Sequence, residues 1–361
     1  MHVPVTAPPV VPRSASVPDG LPSFDTFEDA YVENLRLTYR APMFRNAPRG
    51  YPSRERLGIA FAIRNPRERV VRLAARRSNI VFNFAEALWY LSGSDDLEMI
   101  AYYASNMRRY STDGKRLTGT AYGPKIFRNG LSCVNQWKHA VETLRQDPET
   151  KRAVLQIFSP EEYLVADNPD VSCTMALQFM IREGALHAVT FMRANDAFRG
   201  VVSDIFSFTF LQEVMATELG VGLGRYHHNV GSFHVYDADE TWAADVIAAA
   251  ENLDTVSTVE GVADPFPAMP AKDNWSDIGR VLELEAMLRT NTTRLAADAI
   301  SDLPLSPYWQ QVACLLEIYR QVVHERRIDS DHLAVLLPAF RPLVAARWPR
   351  LAAEQMASAL D

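Results

Sequence analysis

ALQFMIREGALHAVTFMR, residues 176–193, reads as two β-strands and the reversal between them. Two apolar runs rich in β-formers flank Glu183-Gly184, and the glycine supplies the positive φ that a tight reversal needs. Upstream, Trp137–Leu144 has the spacing of an amphipathic helix, closed by the turn-forming Gln146-Asp147-Pro148, and Ala153–Phe158 reads as a strand. Downstream, Ser203-Asp204 precede an apolar run from Ile205 to Leu219 that stops at Gly220, the pattern of a helix with an N-cap in front and a glycine stop behind. Gly231–Tyr236 reads as a further strand, and Phe84–Leu91 as a helix ended by Ser92-Gly93. This mixture predicts an α/β (α+β) unit, a mixed β-sheet flanked by helices, over residues 24–264. Beyond it Pro265, Pro267 and Pro270 make a connector. Trp309, Val312, Leu316, Tyr319 and Val323 then fall on one helical face, so 265–361 is expected to be a helical C-terminal extension.

The chain has 361 residues, 48% of them hydrophobic, enough for a large core. A net charge of −7 gives no basic footprint for nucleic acid. The three cysteines, Cys133, Cys173 and Cys314, are far apart and odd in number, which argues for a reducing, cytoplasmic setting rather than a disulfide framework. Six prolines in the first 22 residues predict a disordered tail over 1–23. The apolar run Ile80–Leu91 is too short for a bilayer, which needs about 20 residues, so no membrane association is expected. Histidine and cysteine spacings match no metal site, since the adjacent His227 and His228 face opposite ways on a strand. No glycine-rich phosphate loop is present.

Several side chains stand out against a bland alternative. Cys173, in NPDVSCTMALQF, is a small hydrophobe or a nucleophile favoured by Arg193 and Arg152. In Arg193-Ala-Asn195-Asp196 the last two residues are also ordinary turn formers, and Asp204 an ordinary N-cap. His234 and Tyr236 project to one strand face. Glu86 is odder, a carboxylate inside an apolar helix, pointing outward or kept inside for a purpose.

In order, these pieces resemble the thymidylate synthase superfamily over about residues 50–240: Glu86 in FAEALWYLSG, Tyr122-Gly123, Lys151-Arg152 before a strand, Cys173 before the hairpin, Arg193-x-x-Asp196, Asp204, then Gly231-x-x-His234-x-Tyr236. The cysteine is followed by Thr174, where synthases carry histidine, and Asp204 stands where uracil-using members carry asparagine. Both features, and the strings SCT, MRxND and NVGSxHVY, resemble the pyrimidine nucleotide 5-hydroxymethylase branch, and the resemblance to its deoxycytidylate-using members implies that the base read here is cytosine. An asparagine amide suits the carbonyl and ring N–H of uracil, whereas a carboxyl group can accept from the cytosine amine and share a proton with its ring nitrogen.

The resemblance implies a thymidylate synthase-like fold and a homodimer whose active site is shared across the interface. It implies covalent catalysis by Cys173, with 5,10-methylenetetrahydrofolate as one-carbon donor. Glu86 would organise water and shuttle protons, with Tyr122 in the catalytic group, and Asp204 would read the base. Arg193 would hold the phosphate, joined by Lys151 and Arg152 from the other subunit. Asn195 and Thr174 would line the substrate, Asp196 would contact the pterin, and His234 and Tyr236 would hold the sugar hydroxyl. The N-terminal phosphate arginine is one of Arg49, Arg54 and Arg56. Ala194 replaces a phosphate-contacting serine, and Lys151 replaces an arginine, giving up a bidentate fork. The Ala- and Arg-rich composition and the appended tail resemble the cytidylate hydroxymethylases of nucleoside antibiotic biosynthesis. Ala176 would there leave room for a ribose 2′-hydroxyl, so the expected substrate is CMP, or dCMP. The alternatives are a thymidylate synthase, a deoxycytidylate hydroxymethylase of DNA modification and an inactive nucleotide-binding scaffold.

Overall fold

The computed structural model describes residues 20–256 and 264–352. Most of the expected tail, residues 1–19, lies outside the described residues. Seven strands form one sheet among the described residues: β1 (Ser23–Phe24), β2 (Phe44–Asn46), β3 (Ser53–Ile63), β4 (Val154–Gln156), β5 (Thr174–Arg182), β6 (Ala185–Asp196) and β7 (Gly222–Tyr236). Their order is β1-β3-β7-β6-β5-β4, with β2 paired to β3. Both central turn residues of the β5–β6 hairpin, Glu183 and Gly184, have positive φ (52° and 77°). Two such residues give the reversal a twist that matches the strands it joins.

β6 and β7 are parallel neighbours, so a crossover must link them, and α-helix Gly200–Leu219 is that crossover. In chain order the helices that bear on the site and its core are α1 (Phe27–Arg40), α2 (Ile80–Leu91), α3 (Tyr122–Phe127), α4 (Gln136–Gln146), α5 (Gly200–Leu219), α6 (Glu240–Val256), α7 (Trp275–Arg289) and α8 (Pro307–Arg320). α5 ends as expected, with Gly220 at φ 68°. It starts earlier than expected. Asp196 Oδ1 accepts the N–H groups of Phe198 and Arg199 at 2.8 and 3.0 Å, which turns the chain into the helix at Gly200. Asp204 therefore is not the N-cap; it sits one turn inside.

α2 and α5 pack together beneath one face of the sheet, on Leu177, Phe179, Leu186, Ala188 and Tyr226, all fully buried. α2 has every residue but Phe82 buried, hence its apolar run. The opposite face has no helix on it among the described residues. Leu57, Val154, Met175 and Phe191 of the sheet and its margin are 39–47% exposed. The helices after residue 264 join the same core: the Phe84 ring lies 6.2 Å from Phe266 and 5.9 Å from Phe340. No helix of the described residues is long and apolar enough to cross a membrane.

Candidate active site

Cys173 ends the segment that leads into β5, and its carbonyl accepts the Arg193 N–H of β6 at 2.9 Å. Cross-strand pairing thus sets Arg193 beside the thiol. The guanidinium donates to the Ser172 and Val171 carbonyls at 2.8 and 2.9 Å and reaches Cys173 Sγ at 3.8 Å. Burial pushes the thiol above its ordinary range, against the downward pull of Arg193 and Arg49.

The loop holding Cys173 is anchored from two sides. Asp170 accepts the backbone N–H groups of Thr118, Gly119 and Thr120, each at 2.8 Å. Ser172 donates its N–H to Glu162 Oε2 at 2.7 Å, and its hydroxyl lies 2.8 Å from both Glu162 Oε1 and the Gly119 carbonyl. Lys125 pairs with Glu162 and also meets the Ser172 hydroxyl. Gly119 leaves no room for a side chain, since a Cβ there would stand 1.7 Å from the Asp170 carbonyl oxygen.

Glu86 points inward from α2, 5% exposed, and its Oε2 accepts the Ser207 hydroxyl at 3.0 Å. Burial, with the charge of Asp204 behind it, raises its pKa to about 8. Asp204, raised to about 7 mainly by burial, accepts Asn195 Nδ2–H at 2.7 Å. Asn195 Oδ1 in turn lies 3.0 Å from His228 Nε2, and His228 Nδ1 lies 2.9 Å from the Tyr226 hydroxyl. Tyr122, on α3, stacks on Tyr90 at 4.8 Å and faces Thr174, close enough to Cys173 and Asp204 to feel both charges. At the ends of β6 and β7, Asp196 and His234 are register partners, and the His234 and Tyr236 rings lie 4.9 Å apart. Two carboxyl groups that hold protons near neutrality, beside a thiol and an arginine, form a site able to exchange protons with a polar ring.

Glu86, Tyr122, Cys173, Thr174, Arg193, Asn195, Asp196, Asp204, His234 and Tyr236 are thus brought into one region. Three expected residues are not. Lys151 and Arg152 are exposed before β4, where the Lys151 carbonyl accepts from Gln178 and Arg152 donates to Thr150. Ala176 shares the uncovered sheet face with Gln178 and Met180. The three-way arginine choice narrows. Arg54 is held by Glu240 and Tyr39, and Arg56 by the Ala41 carbonyl. Arg49 is exposed, with φ 53°, and its charge acts on both Cys173 and Tyr236. Sequence reasoning missed Tyr226, His228, Asp170, Ser172, Glu162 and Lys125. The available signal was the polar run Asn168 to Ser172 directly before the cysteine, and a histidine on the inward face of β7.

The chain is similar to several known proteins. Deoxyuridylate hydroxymethyltransferase of Bacillus phage SP01 is 31% identical over 243 residues, 62% of this chain and 63% of that protein. The enzyme of the same name from Delftia phage PhiW-14 is 33% identical over 207 residues, 54% of this chain and 56% of the relative. A putative thymidylate synthase of Methanocaldococcus jannaschii is 34% identical over 106 residues, 28% of this chain and 48% of that protein. The chain thus spans less than two thirds of each relative's length. The family model for thymidylate synthase matches residues 53–257, which hold every candidate residue except Arg49, and the chain belongs to the thymidylate synthase family.

Proposed function

We propose that this chain is a pyrimidine nucleotide 5-hydroxymethylase acting on cytidylate, CMP or dCMP, with 5,10-methylenetetrahydrofolate as donor. The observation that carries the choice of base is Asp204, a carboxyl with a pKa near 7 that receives an N–H from Asn195. A group that holds a proton near neutrality can accept from an exocyclic amine and share a proton with the unprotonated ring nitrogen beside it.

The Cys173 thiolate adds to ring carbon 6, which makes carbon 5 nucleophilic. Its raised pKa means the thiolate is scarce in the free protein, and a bound phosphate held by Arg193 and Arg49 orders the two cations that favour it. The folate, when bound, supplies the one-carbon unit at the methylene level. Asp196 fits a pterin: it spends Oδ1 on two backbone N–H groups, which leaves Oδ2 to accept from ring N–H groups. Glu86, tied to Ser207 and with its pKa raised to about 8, positions the water that completes the hydroxymethyl group, and its ionised form takes the proton of that water. Loss of the carbon 5 hydrogen as a proton, and of Cys173 from carbon 6 as thiolate, restores the ring. His234 and Tyr236 hold the sugar, and Tyr122 and Thr174 close the side of the thiol.

Lys151 and Arg152 enter this reading through a second copy stacked on the uncovered sheet face, where Phe191, Met175 and Val154 are exposed. Ala176 lies on that same face, so in this reading it meets a sugar only across the stacked pair, where a small residue would leave space for a ribose hydroxyl. CMP as substrate, and nucleoside antibiotic biosynthesis as its setting, rest on that feature and the appended helices. A uridylate substrate is the second reading, favoured by the names of the phage relatives. Tritium release from carbon 5 of labelled CMP, dCMP, UMP and dUMP, with and without methylenetetrahydrofolate, separates the readings. Release from uridylates alone overturns the cytosine assignment, and a strong dCMP preference overturns the ribose assignment.

A further inference from the structure

His228 is wholly buried against the Phe61 ring, 5.2 Å away, and has no place in the chemistry above. Its hydrogen bonds run in a line from the Tyr226 hydroxyl through the imidazole to Asn195 and on to Asp204. With Asn195 donating its Nδ2–H to Asp204, they run in one direction. Asn195 must turn its NH2 group to a carboxylate, which leaves its Oδ1 facing His228. A carbonyl oxygen only accepts, so Nε2 of His228 carries the hydrogen. Nδ1 then holds a lone pair and accepts the Tyr226 O–H. Burial keeps the ring neutral, its pKa lowered to about 3, as one N–H and one lone pair require.

This order has a consequence at Asp204. A protonated carboxyl can carry its hydrogen on either oxygen, and the two forms show a base opposite patterns of donor and acceptor. A hydrogen on Oδ2 would confront the Asn195 N–H, so the proton goes to Oδ1 and Oδ2 stays an acceptor. Cytosine asks for an acceptor beside its amine and a donor beside its ring nitrogen, whereas uracil asks for the reverse.

We propose that the buried Tyr226–His228–Asn195 chain is a specificity device that fixes which Asp204 oxygen carries the proton, with Oδ2 toward the exocyclic amine, and so sets the site for cytosine against uracil. It rests on Asp204 being the base-reading residue. His228 and Tyr226 are positioning residues in this scheme, since they act through Asn195.

The test measures kcat/KM of the full-length protein for CMP and UMP in the wild type, His228→Phe, His228→Gln and Tyr226→Phe. His228→Phe removes the N–H that orients Asn195, and the cytidylate-to-uridylate ratio is expected to fall at least tenfold. Tyr226→Phe frees the imidazole tautomer and is expected to lower the ratio at least threefold while keeping the core volume. His228→Gln offers a replacement N–H and should recover most of the ratio. A merely structural role would lower turnover of both substrates and leave the ratio alone. A ratio within twofold of wild type in both His228→Phe and Tyr226→Phe overturns the proposal, and if His228→Phe does not fold, an unmoved ratio in Tyr226→Phe does so alone. A wild type that uses uridylate and not cytidylate removes the Asp204 reading and this inference together. A cytidylate enzyme with an unmoved ratio removes only the inference.

Discussion

Glu86→Gln should stabilise the protein while abolishing its turnover, and the stabilisation should grow with pH. The carboxyl is ordinary in the unfolded chain, near 4.5, but in the fold burial and the Asp204 charge lift it to about 8. Between those values the folded state holds a proton that the unfolded state has lost, so stability falls as pH rises through the window. Below about pH 4.5 both states are protonated and nothing is lost; above about pH 8 the full penalty stands. The gap at about 1.4 kcal/mol per pH unit sets a ceiling of about 5 kcal/mol. Glutamine has nearly the same volume, keeps an oxygen for the Ser207 hydroxyl and never ionises. From about pH 5.5 to about pH 8.5 its advantage over the wild type should therefore grow by about 3 kcal/mol.

Urea unfolding of both proteins at the two pH values measures the increment directly, since the constant part of the substitution cancels. In an Asp204→Asn background the increment should shrink, because part of the push on Glu86 comes from that charge. Turnover should meanwhile fall at least about 100-fold with the loss of proton transfer. An increment near zero, or one that declines as pH rises, would refute the assignment of Glu86 as a buried acid held against its charged form.

Three further outcomes follow from the packing. Arg69 is wholly buried, paired with Glu213 and set among Phe206, Phe210 and Phe266. Arg69→Met should destabilise the protein in urea unfolding by less than the about 3–5 kcal/mol of a stranded charge, because Glu213 keeps Arg67 at 3.0 Å, and Arg69→Met/Glu213→Gln should regain part of the loss. Gly119→Ala should displace the Asp170 anchor and misplace Cys173, cutting turnover at least about 100-fold; near wild-type kcat would show that the anchor does not position the thiol. Arg49→Met should raise the nucleotide KM about tenfold or more, as loss of a charge-assisted phosphate contact does, whereas Arg56→Met should leave it unchanged. With the corresponding nucleoside as substrate, the two variants should no longer differ.

The parts of this molecule legible in its sequence are those in which a local rule coincides with the tertiary result. Glu183-Gly184 between two β-rich runs, and Gly220 after an apolar helix, are turns and stops wherever they occur, and both stand where expected. His234 and Tyr236 share a face because strand geometry alone demands it. β7 was cut short for the opposite reason. Its first half, Gly222–Val230, carries Tyr226 and His228 on the buried face, so the alternation of apolar and polar residues that marks a half-buried strand is reversed there. The start of α5 was misplaced because Asp204 looks like a cap and Asp196, which takes the two N–H groups, lies four residues before the helix.

Roles at the site divide in the same way. Order along the chain was enough to propose one chemistry for Glu86, Cys173, Arg193 and Asp204, which the fold brings into one region. It could not choose among Arg49, Arg54 and Arg56, which are alike until Glu240, Tyr39 and the Ala41 carbonyl take up two of them. Nor could it settle proton positions. Whether a carboxyl donates or accepts depends on the dipole turned toward it, and at Asp204 that dipole belongs to Asn195, for which the proposed orienting group is a histidine 24 residues beyond Asp204 in the chain. A single aspartate in place of asparagine can thus suit a site to cytosine, but the substitution alone leaves the proton free to sit on either oxygen. Discrimination between the two bases requires a partner that removes that freedom, and the proposed partner is the Tyr226–His228–Asn195 chain with Asn195 donating to Asp204.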